Sequence, residues 1–181
     1  MASPPAVPSA TSTSSLGHTA GPPAHLVYAS LSRTVCHPRK KHGDQALGRS
    51  RGGFSCKLHL TVDGLGNPLR ARLTAGQRHD STQAEALLAG FTFQRVIADR
   101  GYASAAFVAH VQAQGCEAVI PPHQSAKVQR PYDTWLYRER HLVECCINKL
   151  KHFRRLFSRF DKLDRSYLGF VHFVCALVWL R

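Results

Sequence analysis

The chain has 181 residues, with 24 Lys and Arg against 11 Asp and Glu, a formal charge of +13 and a pI near 10.0. That length suits one domain of ordinary size, and the excess of cations points to a polyanionic partner, nucleic acid ahead of a membrane surface. Six cysteines (Cys36, Cys56, Cys116, Cys145, Cys146, Cys175) without C-x-x-C spacing argue against a zinc site or a disulfide framework, and the apolar tract Leu168 to Leu180 is too short to span a bilayer, so a cytoplasmic protein with reduced, buried thiols is expected.

Residues 1 to about 43 contain no Asp or Glu and are rich in Pro, Ser, Thr and Ala, a composition that buries little and reads as disorder. Within it His25 to Arg33 has the character of a short strand, followed by the basic run Arg39, Lys40 and Lys41; a linker is the favoured reading of this half. Gly48 to Gly53 then sets Arg49 and Arg51 among glycines that let the backbone approach a phosphate, or makes a plain basic turn. Phe54 to Val62 alternates apolar and polar residues, and Pro68 to Thr74 follows the turn Asp63-Gly64-Leu65-Gly66-Asn67, a β-hairpin with Asp63 serving turn geometry at its tip.

Ser81 is placed to cap a helix through Gly90, with His79 and Asp80 in the loop that enters it. Phe93 to Ala98 is a continuous apolar run, as in a strand buried on both faces, and it ends in Asp99-Arg100-Gly101-Tyr102. Ligands of open α/β sheets gather beyond the carboxyl ends of such strands, which makes Asp99 a site candidate, a helix cap being the alternative. Ala103 to Gly115 reads as a helix, Cys116 to Ile120 as a second buried strand, 134 to 160 as one long helix and Leu163 to Leu180 as a closing apolar helix. The order gives an α/β (α+β) layer architecture with antiparallel strands first.

The long helix carries the densest chemistry. Tyr137, Arg140, Glu144 and Lys151 stand three, four and seven residues apart, so at about 100° per residue they share a stripe roughly 60° wide. Beside it Val143, Ile147, Leu150 and Phe157 form an apolar face that would hold the helix on a core. A ring that stacks on a base, two cations that reach phosphates and a carboxylate that holds a divalent ion suit phosphodiester chemistry, although solvated helix faces also carry Arg, Glu and Lys.

These residues resemble the DDE-type insertion-sequence transposases whose third carboxylate lies in a Tyr-x2-Arg-x3-Glu-x6-Lys signature. Tyr137, Arg140, Glu144 and Lys151 occupy its four positions, and Asp99 in ADRGY matches the second carboxylate. GDQALGRSRGGFSCKLH at Gly43 to His59, DGLGNP at Asp63 to Pro68, GQRHD at Gly76 to Asp80 and FDKLDRSYLGFVHF are similar to the same group, making the likeness nearly continuous from Gly43 to Arg181. The resemblance implies a ribonuclease H-like core with a mixed sheet flanked by helices, cutting and joining of DNA with Mg²⁺ or Mn²⁺ held by Asp99 and Glu144, and DNA contacts from Arg49, Arg51, Tyr137, Arg140 and Lys151. It implies transposon ends and target DNA as partners, with a homo-oligomer or a full-length transposase beside them, no membrane, and a nucleoid-associated cytoplasmic location.

One departure stands out. The family takes its first carboxylate from an Asp on the first strand, in a stretch resembling DST, and here HLVYASLSRTV contains none. Asp44 is in a Gly-flanked polar loop and does not replace it. The expectation is a domain spanning 44–181 with its first strand degraded or missing, preceded by a non-family segment 1–43, in all the carboxyl-terminal part of a transposase. Two readings follow: a transposase catalytic domain, truncated or inactive in this copy, or a non-catalytic basic DNA binder that modulates a full-length transposase.

Overall fold

The computed structural model describes residues 25–35, 45–50, 53–126, 128–161 and 163–180, with 25–35 and Ser50 described by backbone alone. Arg51, Asp44, the Arg39 to Lys41 run and the first 24 residues, to which disorder was assigned, lie outside the described residues.

A mixed sheet forms the centre, with strands β1 (His25–Val35), β2 (Gly48–Ser50), β3 (Gly53–Val62), β4 (Pro68–Ala75), β5 (Arg95–Ile97) and β6 (Glu117–Val119). Its order is β2-β3-β1-β5-β6, with β4 also paired to β3. Strands β1, β2 and β4 each pair antiparallel with β3, whereas β5 runs parallel to β1 and β6 parallel to β5. The expected hairpin is present as β3 and β4. Asp63 serves its turn, accepting from Leu65 N at 2.9 Å, Asn67 N at 2.8 Å and Asn67 Nδ2 at 3.1 Å.

The largest difference from the sequence reading is β1. Residues 25–35, favoured as linker, form an 11-residue strand in the middle of the sheet, so the first strand is present and what it lacks is a carboxylate. Polar flanks hid it: Leu26, Val27, Tyr28 and Leu31 suit a strand once β3 and β5 hold its two edges, and that pairing outweighs local composition.

Helices cover both faces. On one side α1 (Ala84–Leu88) and α2 (Ala105–Ala113) bury Leu87, Phe107 and Val111 against Val96 and Ala98. On the other α3 (His141–Lys151) buries Val143, Cys146, Ile147 and Leu150 at helical spacing against Leu58, Leu60, Val62 and Ile97, joined there by α5 (Asp164–Trp179). Burial pushes the Cys146 thiol up to about 11 and Cys175 up to about 12, so both are held as unreactive thiols.

The long helix expected over 134 to 160 is divided into a 3-10 turn (Leu136–Arg140), α3 and a short α4 (Arg154–Phe157). Phe153 adopts an extended conformation (φ −84°, ψ 99°) that breaks the periodicity, so Leu156 reaches the core and Phe157, assigned to the apolar face, is 58% exposed. Behind it Tyr167 is fully buried and donates to Leu156 O at 2.8 Å. Tyr167→Phe, which orphans that carbonyl, is expected to lower unfolding free energy by about 1–2 kcal/mol, checked by urea denaturation.

Candidate active site and nucleic-acid interface

Asp99 follows β5, where the backbone leaves the sheet. Its Oδ1 accepts from Arg100 N at 2.7 Å and its carbonyl accepts from Tyr102 N at 2.9 Å, so it caps the 3-10 turn Arg100–Tyr102. Capping occupies one carboxylate oxygen and leaves the group half-buried at the strand end.

The turn is held from behind by side chains that the sequence reading treated as solvent-facing or as ordinary loop. His59, at a polar position of β3, is fully buried, with Nδ1 2.7 Å from Tyr102 Oη and Nε2 2.8 Å from Thr74 Oγ1. Both sheet faces are covered, so a polar residue on the second face must find partners inside, and these hydroxyls supply them. Desolvation lowers the His59 pKa from 6.5 to about 4, with Lys57 and Arg72 acting in the same sense and Asp80 against it. Burial, with Asp80 and Asp99 adding to it, raises the Tyr102 pKa. Asp80 bonds Lys57 Nζ at 2.8 Å, and a Cβ on Gly101 would meet Asp80 Oδ2 at 2.8 Å. The GQRHD and ADRGY stretches therefore interlock, and Gly101 is the residue that allows their close approach.

On the opposite face the stripe is only partly helical. Tyr137 and Arg140 belong to the 3-10 turn, while Glu144 and Lys151 belong to α3. Arg140 still reaches Glu144, with Nη2 to Oε1 at 2.7 Å, and its guanidinium carbon lies 5.7 Å from the Tyr137 ring centre. The edge of Tyr137 meets Tyr132, with centroids 5.6 Å apart. Burial raises the Tyr137 pKa, Arg140 opposes the rise and Asp99 adds to it, so this ring feels both the strand-end carboxylate and the cation bound to Glu144. Lys151, exposed at the end of α3, stands about 10 Å along the axis from Glu144. Arg49 is exposed in β2. Trp135, not singled out from sequence, is 71% exposed just ahead of the turn, its backbone N–H donating to Asp133 Oδ1 at 2.8 Å.

Comparison with known proteins decides the family. The sequence profile described as "Transposase DDE domain" matches residues 30–179, from within β1 to the end of α5. The chain belongs to the DDE transposase family. It is 41% identical over 133 residues to a Brucella ovis protein named "Putative transposase for insertion sequence element IS6501", covering 71% of this chain and all of that one. A Burkholderia cepacia protein, "Putative transposase for insertion sequence element IS402", is 34% identical over 152 residues, covering 77% of this chain and 69% of its own. A cryo-EM structure described as a piggyBac transposase synaptic complex with hairpin DNA aligns at a TM-score of 0.41 and 12% identity, over 59% of this chain and 24% of that one.

DDE transposase domains use divalent metal ions, and the donors of this DDE transposase domain can be weighed against that need. Among the described residues no group of three or more His, Cys, Asp and Glu side chains is placed to hold a metal ion. Asp99 is engaged as a cap and Glu144 is neutralised by Arg140, while Asp63 and Asp80 are committed to the hairpin turn and to Lys57. The donors among the described residues, as placed, do not fit the pair of ions that phosphoryl transfer requires. Among the described residues, no helix is long and apolar enough to cross a membrane.

Proposed function

We propose that this chain is a DNA-binding transposase domain with a ribonuclease H-like sheet that has lost metal-dependent strand cleavage and transfer. One observation carries the reading: β1, hydrogen-bonded between β3 and β5, contains no Asp or Glu from His25 to Val35. Three antiparallel strands followed by two parallel to the first support the ribonuclease H-like assignment.

DNA phosphates are met by Arg49, Arg51, Lys151 and Arg140, the last sharing its charge with Glu144. Tyr137 packs against Tyr132 beneath Arg140, so we place base stacking on the more exposed Trp135, with Tyr137 supporting the turn. Binding of DNA with unpaired bases is expected to quench tryptophan fluorescence, and Trp135→Ala to weaken that binding about tenfold relative to blunt duplex. A single Mg²⁺ or Mn²⁺ alongside a DNA phosphate is the most that Asp99 and Glu144 would hold, and only with Arg140 displaced from Glu144. A divalent ion bound there would supply charge neutralisation at that phosphate and nothing further.

Filter binding across a salt series tests the interface. Affinity should fall steeply with salt and little with sequence, and Arg140→Ala with Lys151→Ala should flatten the log–log slope by about 2. An unchanged affinity and slope would reduce the stripe to a solvated face. The missing carboxylate also favours a role beside a full-length transposase, competing for DNA ends or entering mixed oligomers, which co-purification with such a protein would reveal.

A further inference from the structure

The outer edge of the sheet carries a cleft that the Tyr137 stripe does not use. Among the described residues β4 pairs with β3 alone. Strands β3 and β1 stand between it and β5, which at about 4.8 Å per step places β4 roughly 14 Å from the strand that ends in Asp99. Helix α5 packs beside this edge, and the cleft between them has a volume of about 590 Å³, its lining including Pro68, Arg70, Arg72, His172, Ala176 and Trp179. Ligand sites span roughly 300–1,000 Å³.

The walls are basic and held in place. Arg70 Nη1 donates to Ala86 O at 3.1 Å, Leu87 O at 3.2 Å and Ala89 O at 2.6 Å, closing the end of α1, with its guanidinium carbon 4.4 Å from the Phe91 ring centre. Exposed Arg72 donates through Nε to Gln83 Oε1 at 3.1 Å, and among the described residues no acceptor meets its Nη groups. Both guanidinium groups therefore lie on the α1 side of the strand edge, and α5 flanks it on the other. There His172, Ala176 and Trp179 stand at i, i+4 and i+7 on one side of the helix, the small Ala176 leaving room between two rings. Trp179 Nε1 donates to Pro68 O at 2.7 Å, which fixes the indole while leaving the residue 52% exposed. No Asp or Glu is found among the described residues that line the cleft.

We propose that this cleft binds one unpaired nucleic-acid strand, Trp179 stacking on a base while Arg72 and His172 meet the neighbouring phosphates. Grooves for single strands combine cations that follow the backbone with a ring open to a base, and the cleft offers both. The inference rests on the reading of the chain as a DNA-binding domain and adds a second tract to it. A second copy of the chain suits the edge poorly. Antiparallel pairing of two β4 strands about a two-fold at Ala71 would set Arg70 opposite Arg72 of the other copy, and like charges so placed oppose strand pairing. Phosphates bring the opposite charge to a chain of formal charge +13.

Fluorescence of the full chain tests the proposal. The sequence has two tryptophans, so Trp135→Phe leaves Trp179 as the one indole reporter and keeps a stacking ring at 135. Single-stranded oligothymidylate should quench this variant, and adding Arg72→Ala should weaken the binding about fivefold and lower the log–log salt slope by about 1. His172→Ala, at an exposed position, gives the same comparison of affinity should Arg72→Ala unfold. Absence of quenching, or affinity unchanged by these substitutions, overturns the tract. Equal quenching by poly-glutamate would assign the cleft to an acidic peptide, and Trp179 emission that shifts with protein concentration in the absence of DNA would assign it to a second copy; either result also overturns it. The parent reading is scored separately. If Trp179 is silent while Arg140→Ala with Lys151→Ala still flattens the salt slope, the tract falls and the DNA-binding reading stands, whereas a chain that retains no DNA at all removes that reading itself.

Discussion

Purified chain mixed with DNA ends and Mg²⁺ or Mn²⁺ is expected to yield no strand-transfer product above background, while still shifting the same DNA in a gel. Phosphoryl transfer depends on positioned ions that activate the attacking oxygen and stabilise the leaving one, with little other covalent chemistry for the protein to perform. A site lacking one member of such a concerted set typically loses about 10⁴–10⁶ of its rate, and removing a further member then changes little. Glu144→Gln in this chain should therefore leave the product level where it was. Electrostatics even sets the direction of a small effect on binding: with Glu144 neutral, Arg140 is released from its 2.7 Å ion pair and free for a phosphate, so DNA affinity should hold or rise. Robust joining of DNA ends by the unsubstituted chain, lost on Glu144→Gln, would sink the reading.

Which parts of the molecule were legible in the sequence follows from the range of the forces involved. The hairpin turn was, because Asp63 and Gly66 satisfy rules of local backbone geometry: the Asp side chain accepts from the turn amides and Gly66 takes φ 82°. The buried face of α3 was too, since Val143, Ile147 and Leu150 repeat at the helical period. Strand β1 was not. Its pairing partners lie 20 to 70 residues away in the chain (Val35 with Ser55, His25 with Arg95), and a strand completed by such distant edges leaves a weak local signal in a Pro- and Ser-rich flank. The break at Phe153 was equally hidden, because Phe157 continues the apolar period and only the packing of Leu156 and Tyr167 turns the chain.

The site divides in the same way. Asp99 and Glu144 were singled out through motif likeness and strand-end position, and the Tyr137 ring lies beneath Arg140, the ion-pair partner of Glu144. The supports of the Asp99 turn escaped notice. An alternating pattern assigns His59 to the wet side of a strand, and only the helices on both faces make that side dry. His79 and Asp80 were assigned to a helix-entry loop, yet Asp80 spends its carboxylate on Lys57 and its bulk against Gly101.

His59 gives the second large expected effect, a stability that falls as the medium is acidified from pH 6.5 to 4. Burial holds the imidazole neutral in the folded chain, with a pKa of about 4, whereas the unfolded chain returns it to 6.5. Between those values the unfolded state binds the extra proton, so unfolding free energy rises with pH, flattening above 6.5 and below 4. At about 1.4 kcal/mol per pKa unit the window holds about 3 kcal/mol, a large share of a domain's stability. The hydrogen bonds do not set the sign, because the Tyr102 and Thr74 hydroxyls can accept from an imidazolium as readily as they exchange roles with the neutral ring. Desolvation does, helped by the Lys57 and Arg72 charges and resisted by Asp80. Carboxylates titrate across part of the same range, so the measurement is a difference: urea midpoints at pH 4.5 and 7 for the parent chain and for His59→Gln. His59→Gln should be less stable at pH 7 but lose less on acidification, and equal losses in the two chains would show that the ring titrates in contact with water.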